Sequence, residues 1–324
     1  MKLLLTHVPL ARRQYYGARA LARLHELVEV RLHEGSAPLD PKGLIAAAGG
    51  VDLIIADRAT AVPAEVFNAL PALKVVMRSA IDIRNIDQAA ASKAGVLVTH
   101  AEAGFVKSVV ELTVGFLVDL SRGITRAATS YHRGEKPEIR IGRQLSGSTV
   151  GIIGYGRISR DLAPVLAALG MKVMVSDPYA QVDDRRFLKL PLEEMLGLAD
   201  YVICLAIANE ETENLVDEAA FARMKPDAFF INMSRGTVVD DAALIKALRE
   251  KTIYSAGLDV FVNEPEVPKE YLEMENIVLF PHLGSGSVWT RQKMEQLVVD
   301  NLLAWNSGKA PLTPVPETPW PPKK

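Results

Sequence analysis

The sequence predicts an α/β protein with two parallel-sheet domains in succession, and three observations carry that reading. Short apolar runs alternate with helical stretches along most of the chain, the pattern of successive βα units. A glycine turn, Gly154-Tyr155-Gly156, lies between one apolar run and a helix. The length of 324 residues accommodates two domains, at roughly 100 to 200 residues each.

The elements follow in order. The first hundred residues contain the apolar runs KLLLTH, VEVRL, DLIIA, LKVVM and GVLVTH. Between them lie an Arg- and Leu-bearing amphipathic stretch, a helix near Leu44 and a helix from Pro63, so the strands form a parallel sheet covered on both faces. The segment VKSVVELTVGFLVDLSRGI carries Val109, Leu112, Val114, Phe116, Leu117 and Leu120 around too much of its circumference for a one-sided surface helix. It predicts a buried helix, with burial in an oligomer one way to cover it. The polar, glycine-containing stretch SYHRGEKPEIRIGRQLSG then reads as a connection.

A second βα series starts at STVGIIGYG and continues through KVMVSD, YVICLA, AFFINMS, YSAGLDV and IVLFPH. The chain ends in KAPLTPVPETPWPPKK, whose prolines predict an extended or loosely ordered tail.

Composition excludes several classes. Lys+Arg 37 against Asp+Glu 39 gives a net charge of -2 and no electrostatic footprint for nucleic acid. No apolar run reaches the roughly 18 residues of a membrane helix, and the N-terminus lacks the apolar centre of a secretory signal. The single cysteine, Cys204, lies in an apolar strand run, so neither a disulfide framework nor a cysteine metal cluster is expected. A cytoplasmic home is expected, and no metal.

Gly154 and Gly156 stand where missing side chains let backbone N–H groups and a helix N-terminus meet a pyrophosphate. The third glycine of G-x-G-x-x-G is replaced by Ser159. The next strand ends at Asp177, near the spacing at which an acid accepts hydrogen bonds from the adenosine ribose; as Asp-Pro with Pro178 it is also a turn pair. Together these point to a dinucleotide, and the acid points to NAD over its 2′-phosphorylated form.

Four stretches, GIIGYGRI, MKPDAFFINMSRGTVVDDAALIKAL, AGLDVFVNEP and LFPHLGS, occur in the order of a known family's motifs. Through them the chain resembles the D-isomer-specific 2-hydroxyacid dehydrogenases over nearly its whole length. The resemblance implies a doubly wound Rossmann NAD-binding domain, residues 102–286, inserted in a flavodoxin-like substrate domain of residues 1–101 and 287–324, with the active site in the cleft between them. It implies a homodimer through the 107–123 helix region.

The resemblance also assigns roles. Arg235, Glu264 and His282 would be catalytic: Arg235 binds the carboxylate and carbonyl oxygen of a 2-oxo acid, His282 exchanges the proton, and Glu264 pairs with the imidazole. Hydride would pass between the nicotinamide and C2 of the acid. The cofactor would be held by Gly154, Gly156, Arg157, Ile158, Asp177, Met233, Ser234, Asp259 and Gly284, although Asp259 reads equally as a strand-end cap. The substrate would meet Ala80, Ile81 and Asp82 as well as Arg235 and His282.

Two departures stand out. The family's G-V-G-x-D-N-I-D loop reads AIDIRNID here, with Ala80 and Asp82 at glycine positions, and its T-P-G-A-N segment reads AEAGF, with Phe105 in place of a polar residue. Asp82 either faces the ligand, where it disfavours a second carboxylate, or turns away and caps its own loop. Two other functions fit the same scaffold: an NAD(H)-sensing regulatory protein, and a dehydrogenase of another small anion such as phosphite.

Overall fold

A computed structural model describes all residues except Ala103, Arg140, Lys323 and Lys324, and the side chains of Gln14 and Tyr15. The chain divides into two compact units, one of Met1–Gly104 with Ser287–Lys324, the other of Phe105–Gly286.

The first unit opens with β1 (Lys2–Leu5), α1 (Pro9–Tyr15), α2 (Ala18–Leu27), β2 (Glu29–Leu32), α3 (Pro41–Ala47) and β3 (Leu53–Ala56). It continues with α4 (Ala64–Ala69), β4 (Val75–Arg78), α5 (Gln88–Ala94) and β5 (Leu97–Thr99). All five strands are parallel, in the order β2-β1-β3-β4-β5, the flavodoxin-like arrangement. Strand side chains alternate between two cores: Leu4, Ile54, Val76 and Val98 pack with Leu44, Val66 and Phe67 of α3 and α4, while Leu3, Leu53, Val75 and Leu97 pack with Leu24 of α2 and Leu302. Burial on both faces explains why these strands read as nearly continuous apolar runs. The amphipathic N-terminal stretch forms two helices, α1 and α2, and Asp40 caps α3 by accepting from the Gly43 N–H at 2.8 Å.

The second unit begins with α6 (Val106–Arg122) and α7 (Ile124–His132), and the next element is β6 (Thr149–Ile153). Next come α8 (Arg157–Ala168), β7 (Lys172–Ser176), β8 (Leu188–Lys189), α9 (Leu192–Leu198) and β9 (Tyr201–Cys204). The unit ends with α10 (Glu218–Arg223), β10 (Phe229–Asn232), α11 (Asp241–Arg249), β11 (Ser255–Leu258), α12 (Lys269–Leu272) and β12 (Ile277–Leu279). The parallel seven-stranded sheet runs β12-β11-β10-β9-β6-β7-β8, with β6 at the point where strand order reverses, a doubly wound Rossmann arrangement. Cys204 is fully buried at the end of β9, and burial raises its thiol pKa to about 12, an inert core residue.

Helix α6 finds cover inside its own unit. Val109, Phe116, Leu117 and Leu120 join a core with Leu162 of α8 and Ile231 of β10, so no oligomer is required to explain their apolarity.

At Ser287 the chain returns to the first unit and forms α13 (Val288–Asn306), a helix that the sequence patterning did not disclose. Over its described residues the proline-rich tail forms neither helix nor strand, with a bridge from Pro314 to Thr99 followed by a turn, and it is not loose. The Val315 N–H donates to the Val98 carbonyl at 2.8 Å, the Val98 N–H donates to Thr318 Oγ1 at 3.0 Å, and Asn301 holds the N–H groups of Leu312 and Thr313. Val315 is buried in the core and Trp320 packs edge-on to Trp305, so tertiary contacts supply the order that local propensity lacks. No helix of the described residues is long and apolar enough to cross a membrane.

Candidate active site

In the Rossmann unit the site residues stand where parallel strands end. β6 delivers Gly154, β7 delivers Asp177, β10 delivers Met233, Ser234 and Arg235, β11 delivers Asp259, and the segment after β12 delivers His282. Carboxyl ends of strands beside a topological switch point are where open α/β sheets bind ligands.

Gly154 has φ +88°, and a Cβ there would lie 2.7 Å from Ala206 Cα, so only glycine lets the turn pass this close to the chain beyond β9. Gly156 forms the N-cap of α8 and faces open space. Ser159, in place of the third glycine, is buried and donates to the Gly154 carbonyl at 2.6 Å, so the departure fastens the turn to the helix. Arg157 is exposed at the start of α8 and Ile158 packs inward. No acidic residue occupies the first turn of α8. The open cradle and the bare helix N-terminus fit a pyrophosphate.

Asp177 accepts from three backbone N–H groups: Tyr155 at 2.7 Å, Tyr179 at 2.8 Å and Ala180 at 2.8 Å. Partial burial pushes its carboxyl upward, but those bonds outweigh it and hold the group below the ordinary carboxylate range. Asp177 is therefore ionised at neutral pH, rigid, and joined to the glycine turn through Tyr155.

Arg235 follows β10 and is exposed, with Nη1 donating to the Ser234 carbonyl at 2.7 Å. Its turn is set by Asn232, which accepts from the Ser234 N–H at 3.0 Å and donates to the Arg235 carbonyl at 3.1 Å. Ser234 also bonds through its hydroxyl to the Ala206 carbonyl. A Cβ on Gly236 would lie 2.2 Å from the Phe261 carbonyl carbon, so glycine is obligatory where the arginine turn meets the glutamate loop. Nothing in the sequence singled out Ser159, Asn232 or Gly236 for these roles, although Gly236 lies inside the quoted motif.

His282 and Glu264 are both partly buried, with Nδ1 of the imidazole 2.7 Å from Oε2 of the carboxylate. Glu264 is anchored by the Phe261 N–H, which donates to Oε1 at 3.2 Å. Asp259 is 2% exposed, and its two oxygens accept from Leu283 N at 2.7 Å and Gly284 N at 2.8 Å. Burial raises its carboxyl pKa and the two N–H groups oppose the rise. The strand-end-cap alternative for Asp259 matches this geometry: it holds the turn that displays His282, whose φ is +54°.

Ala80, Ile81 and Asp82 belong to the first unit. The Ala80 carbonyl accepts from Ala101 N at 3.0 Å, Ile81 is exposed, and Asp82 is engaged by its own loop. Arg84 donates to Asp82 Oδ1 from Nε at 2.9 Å and to Oδ2 from Nη2 at 2.7 Å. Of the two alternatives for Asp82, loop capping is the one this geometry favours. Phe105 packs against the core of the second unit.

The family profile described as D-isomer specific 2-hydroxyacid dehydrogenase, NAD binding domain, matches residues 114–284. The chain belongs to the D-isomer-specific 2-hydroxyacid dehydrogenases. It is thus an oxidoreductase of the NAD-dependent 2-hydroxyacid dehydrogenase type. This dehydrogenase is 33% identical over 301 residues to a glyoxylate reductase of Thermococcus onnurineus, covering 90% of each chain. Its fold matches a D-isomer specific 2-hydroxyacid dehydrogenase structure from Polaromonas sp. at a TM-score of 0.89 and 27% identity, over 97% of this chain and 99% of that one. It also matches an NADPH-dependent glyoxylate/hydroxypyruvate reductase of Sinorhizobium meliloti at a TM-score of 0.82 and 31% identity, over 98% of each chain.

Proposed function

We propose that the protein catalyses the reversible NADH-dependent reduction of a small 2-oxo acid to its D-2-hydroxy acid, with Arg235 binding the acid, His282 exchanging the proton and Glu264 positioning His282. The observation that carries the reading is the Glu264–His282 pair at 2.7 Å, displayed at the strand ends of a sheet whose glycine turn fits a dinucleotide. NADH, when bound, supplies the hydride to the carbonyl carbon.

With Nδ1 committed to Glu264, Nε2 is the nitrogen that handles the proton: it donates to the carbonyl oxygen in reduction and accepts from the hydroxyl in oxidation. Among the described residues only the Ser234 carbonyl accepts from the Arg235 guanidinium, which leaves a planar fork of donors for the carboxylate and the oxygen on which charge grows. Gly154, Gly156, Arg157, Ile158, Met233, Ser234 and Gly284 shape the cofactor's bed and Asp177 receives its ribose. The backbone of Ala80, Ile81 and Asp82 takes part in holding the acid. A cytoplasmic homodimer completes the proposal, supported by the exposed Val118, Ile124 and Tyr131 on and after α6.

A screen of 2-oxo acids with NADH, including glyoxylate and hydroxypyruvate and followed at the cofactor's absorbance, tests the reading. Turnover of at least one acid to the D product is expected. No oxidation of NADH with any of them refutes it.

A further inference from the structure

The loop that carries Glu264 is held from behind by two residues to which the reaction above gives no part. Tyr271, on α12, is 1% exposed, and its hydroxyl donates to Asp241 Oδ1 at 2.6 Å. Asp241 is the first residue of α11, and its carboxyl also accepts from the Val262 N–H. It is not needed as the cap of that helix. Asp240 already serves there, accepting from the Ala242 and Ala243 N–H groups at 2.9 Å and 3.1 Å.

The chain from Phe261 to Pro268 forms neither helix nor strand, so side chains must take up backbone groups that no ladder pairs. Phe261 and Val262 direct consecutive N–H groups to two carboxyls, the first to Glu264 Oε1 at 3.2 Å and the second to Asp241. The peptide between them abuts Gly236, where a Cβ would lie 2.4 Å from Val262 N, and Gly236 adjoins Arg235. Asp241 thus ties the segment that follows the arginine to the loop that bears the glutamate. A buried tyrosine needs a partner for its hydroxyl, and Tyr271 shares a core with Phe261, Val238 and Leu244. That need explains a bond to some acceptor; it does not explain why the acceptor is the carboxyl that holds Val262.

We propose that Asp241 and Tyr271 are positioning residues for the reaction: Tyr271 fixes the Asp241 carboxyl, Asp241 fixes the Val262 N–H, and the adjoining Phe261 N–H thereby presents Glu264 to His282. The inference rests on the roles proposed above for Glu264 and His282 and adds two residues that act through them. Small displacements of a group that orients the proton carrier are costly in rate, so a fixed loop has a kinetic value beyond its stability.

The test measures kcat, KM and NADH affinity with the best 2-oxo acid in the parent, Tyr271→Phe, Asp241→Ala and Asp241→Asn, each with Glu264 intact and with Glu264→Gln. With Glu264 intact, Tyr271→Phe and Asp241→Ala are expected to lower kcat about fivefold or more, the scale of one buried hydrogen bond, with KM and NADH affinity changed less than about twofold. Asp241→Asn keeps an acceptor oxygen and is expected to retain most of kcat; Tyr271→Phe, which keeps the ring, serves where Asp241→Ala does not fold. With Glu264→Gln each further loss is expected to shrink below about twofold, because the pair acts through that carboxylate. A parent-like kcat in both variants, or equal losses in the two backgrounds, overturns the proposal.

Amide hydrogen exchange separates this inference from the reaction itself. In Tyr271→Phe and Asp241→Ala the Val262 and Phe261 amides are both expected to exchange several-fold faster, while the Tyr155 amide, bonded to Asp177, keeps its rate. That result supports the hold on Glu264 even where no oxo acid is reduced. Unchanged exchange at both amides, or faster exchange at Val262 alone, means that the hold does not reach Glu264 and overturns it. Faster exchange throughout the unit overturns it as well, the mark of a tyrosine that only fills the core.

Discussion

Nδ1 of His282 lies 2.7 Å from Oε2 of Glu264, and that bond decides which nitrogen of the ring does chemistry. The carboxylate fixes the tautomer with the proton on Nδ1 and leaves Nε2 for the substrate. The pair is framed from both sides, by the Phe261 N–H on Glu264 and by Asp259 beneath the His282 turn.

The first prediction concerns pH. Reduction takes up the proton that Nε2 gives to the carbonyl oxygen and oxidation gives one back, so the two directions are expected to show opposite pH trends. Glu264→Gln takes the charged acceptor from Nδ1 and is expected to lower the specificity constant in both directions by about tenfold or more. Profiles of the specificity constant in both directions check it. A Glu264→Gln enzyme with unchanged specificity constants contradicts the pairing.

A second prediction follows from Asp177, whose carboxylate is ionised and immobilised by three N–H groups. A 2′-phosphate beside it meets like charge; at about 4 Å and an effective dielectric of about 20 the repulsion is roughly 4 kcal/mol as an upper limit. NADH is expected to be preferred over NADPH by about a hundredfold, and Asp177→Ala to erase most of the difference. Equal specificity constants in the parent would contradict it.

The sequence made both sheets legible because their inner strands are buried on both faces and read as apolar runs of strand length. Gly154, Asp177, Arg235, Glu264 and His282 were legible because each sits within a few residues of a strand end, so short motifs carry their placement. Helix α13 was hidden because polar Thr290, Glu295 and Asn301 are buried among its apolar positions and blur the helical period. The orientation of Asp82 was hidden for another reason: it depends on Arg84 turning back toward it, a property of space and not of order along the chain.

The third prediction separates substrate from cofactor. Arg235→Ala is expected to lower the specificity constant by about a hundredfold or more, because two charge-assisted hydrogen bonds at about 1.5 to 3 kcal/mol each are lost. NADH affinity, read by fluorescence titration, is expected to change little, since the cradle at Gly154 and the acid at Asp177 lie on other strands. Normal turnover of the best substrate in the variant ends this assignment.

The fourth prediction concerns stability and Glu295, a carboxyl on α13 that is 4% exposed and accepts from the Gly17 N–H at 3.0 Å. Burial raises its pKa to about 7, against the opposing pull of the Gly17 bond and of Arg291. The folded state therefore holds a proton that the unfolded chain releases near its ordinary value of about 4.3. By linkage, the stability contributed by the neutral acid is complete below that value and is lost as pH rises through about 7. The loss across this window is on the order of 3 to 4 kcal/mol. Glu295→Gln keeps an acceptor for Gly17 and carries no titrating proton, so urea denaturation should show a variant more stable than the parent at pH 8 and much closer to it at pH 5. Parallel stability curves for parent and variant between those two values would mean that Glu295 titrates alike in both states.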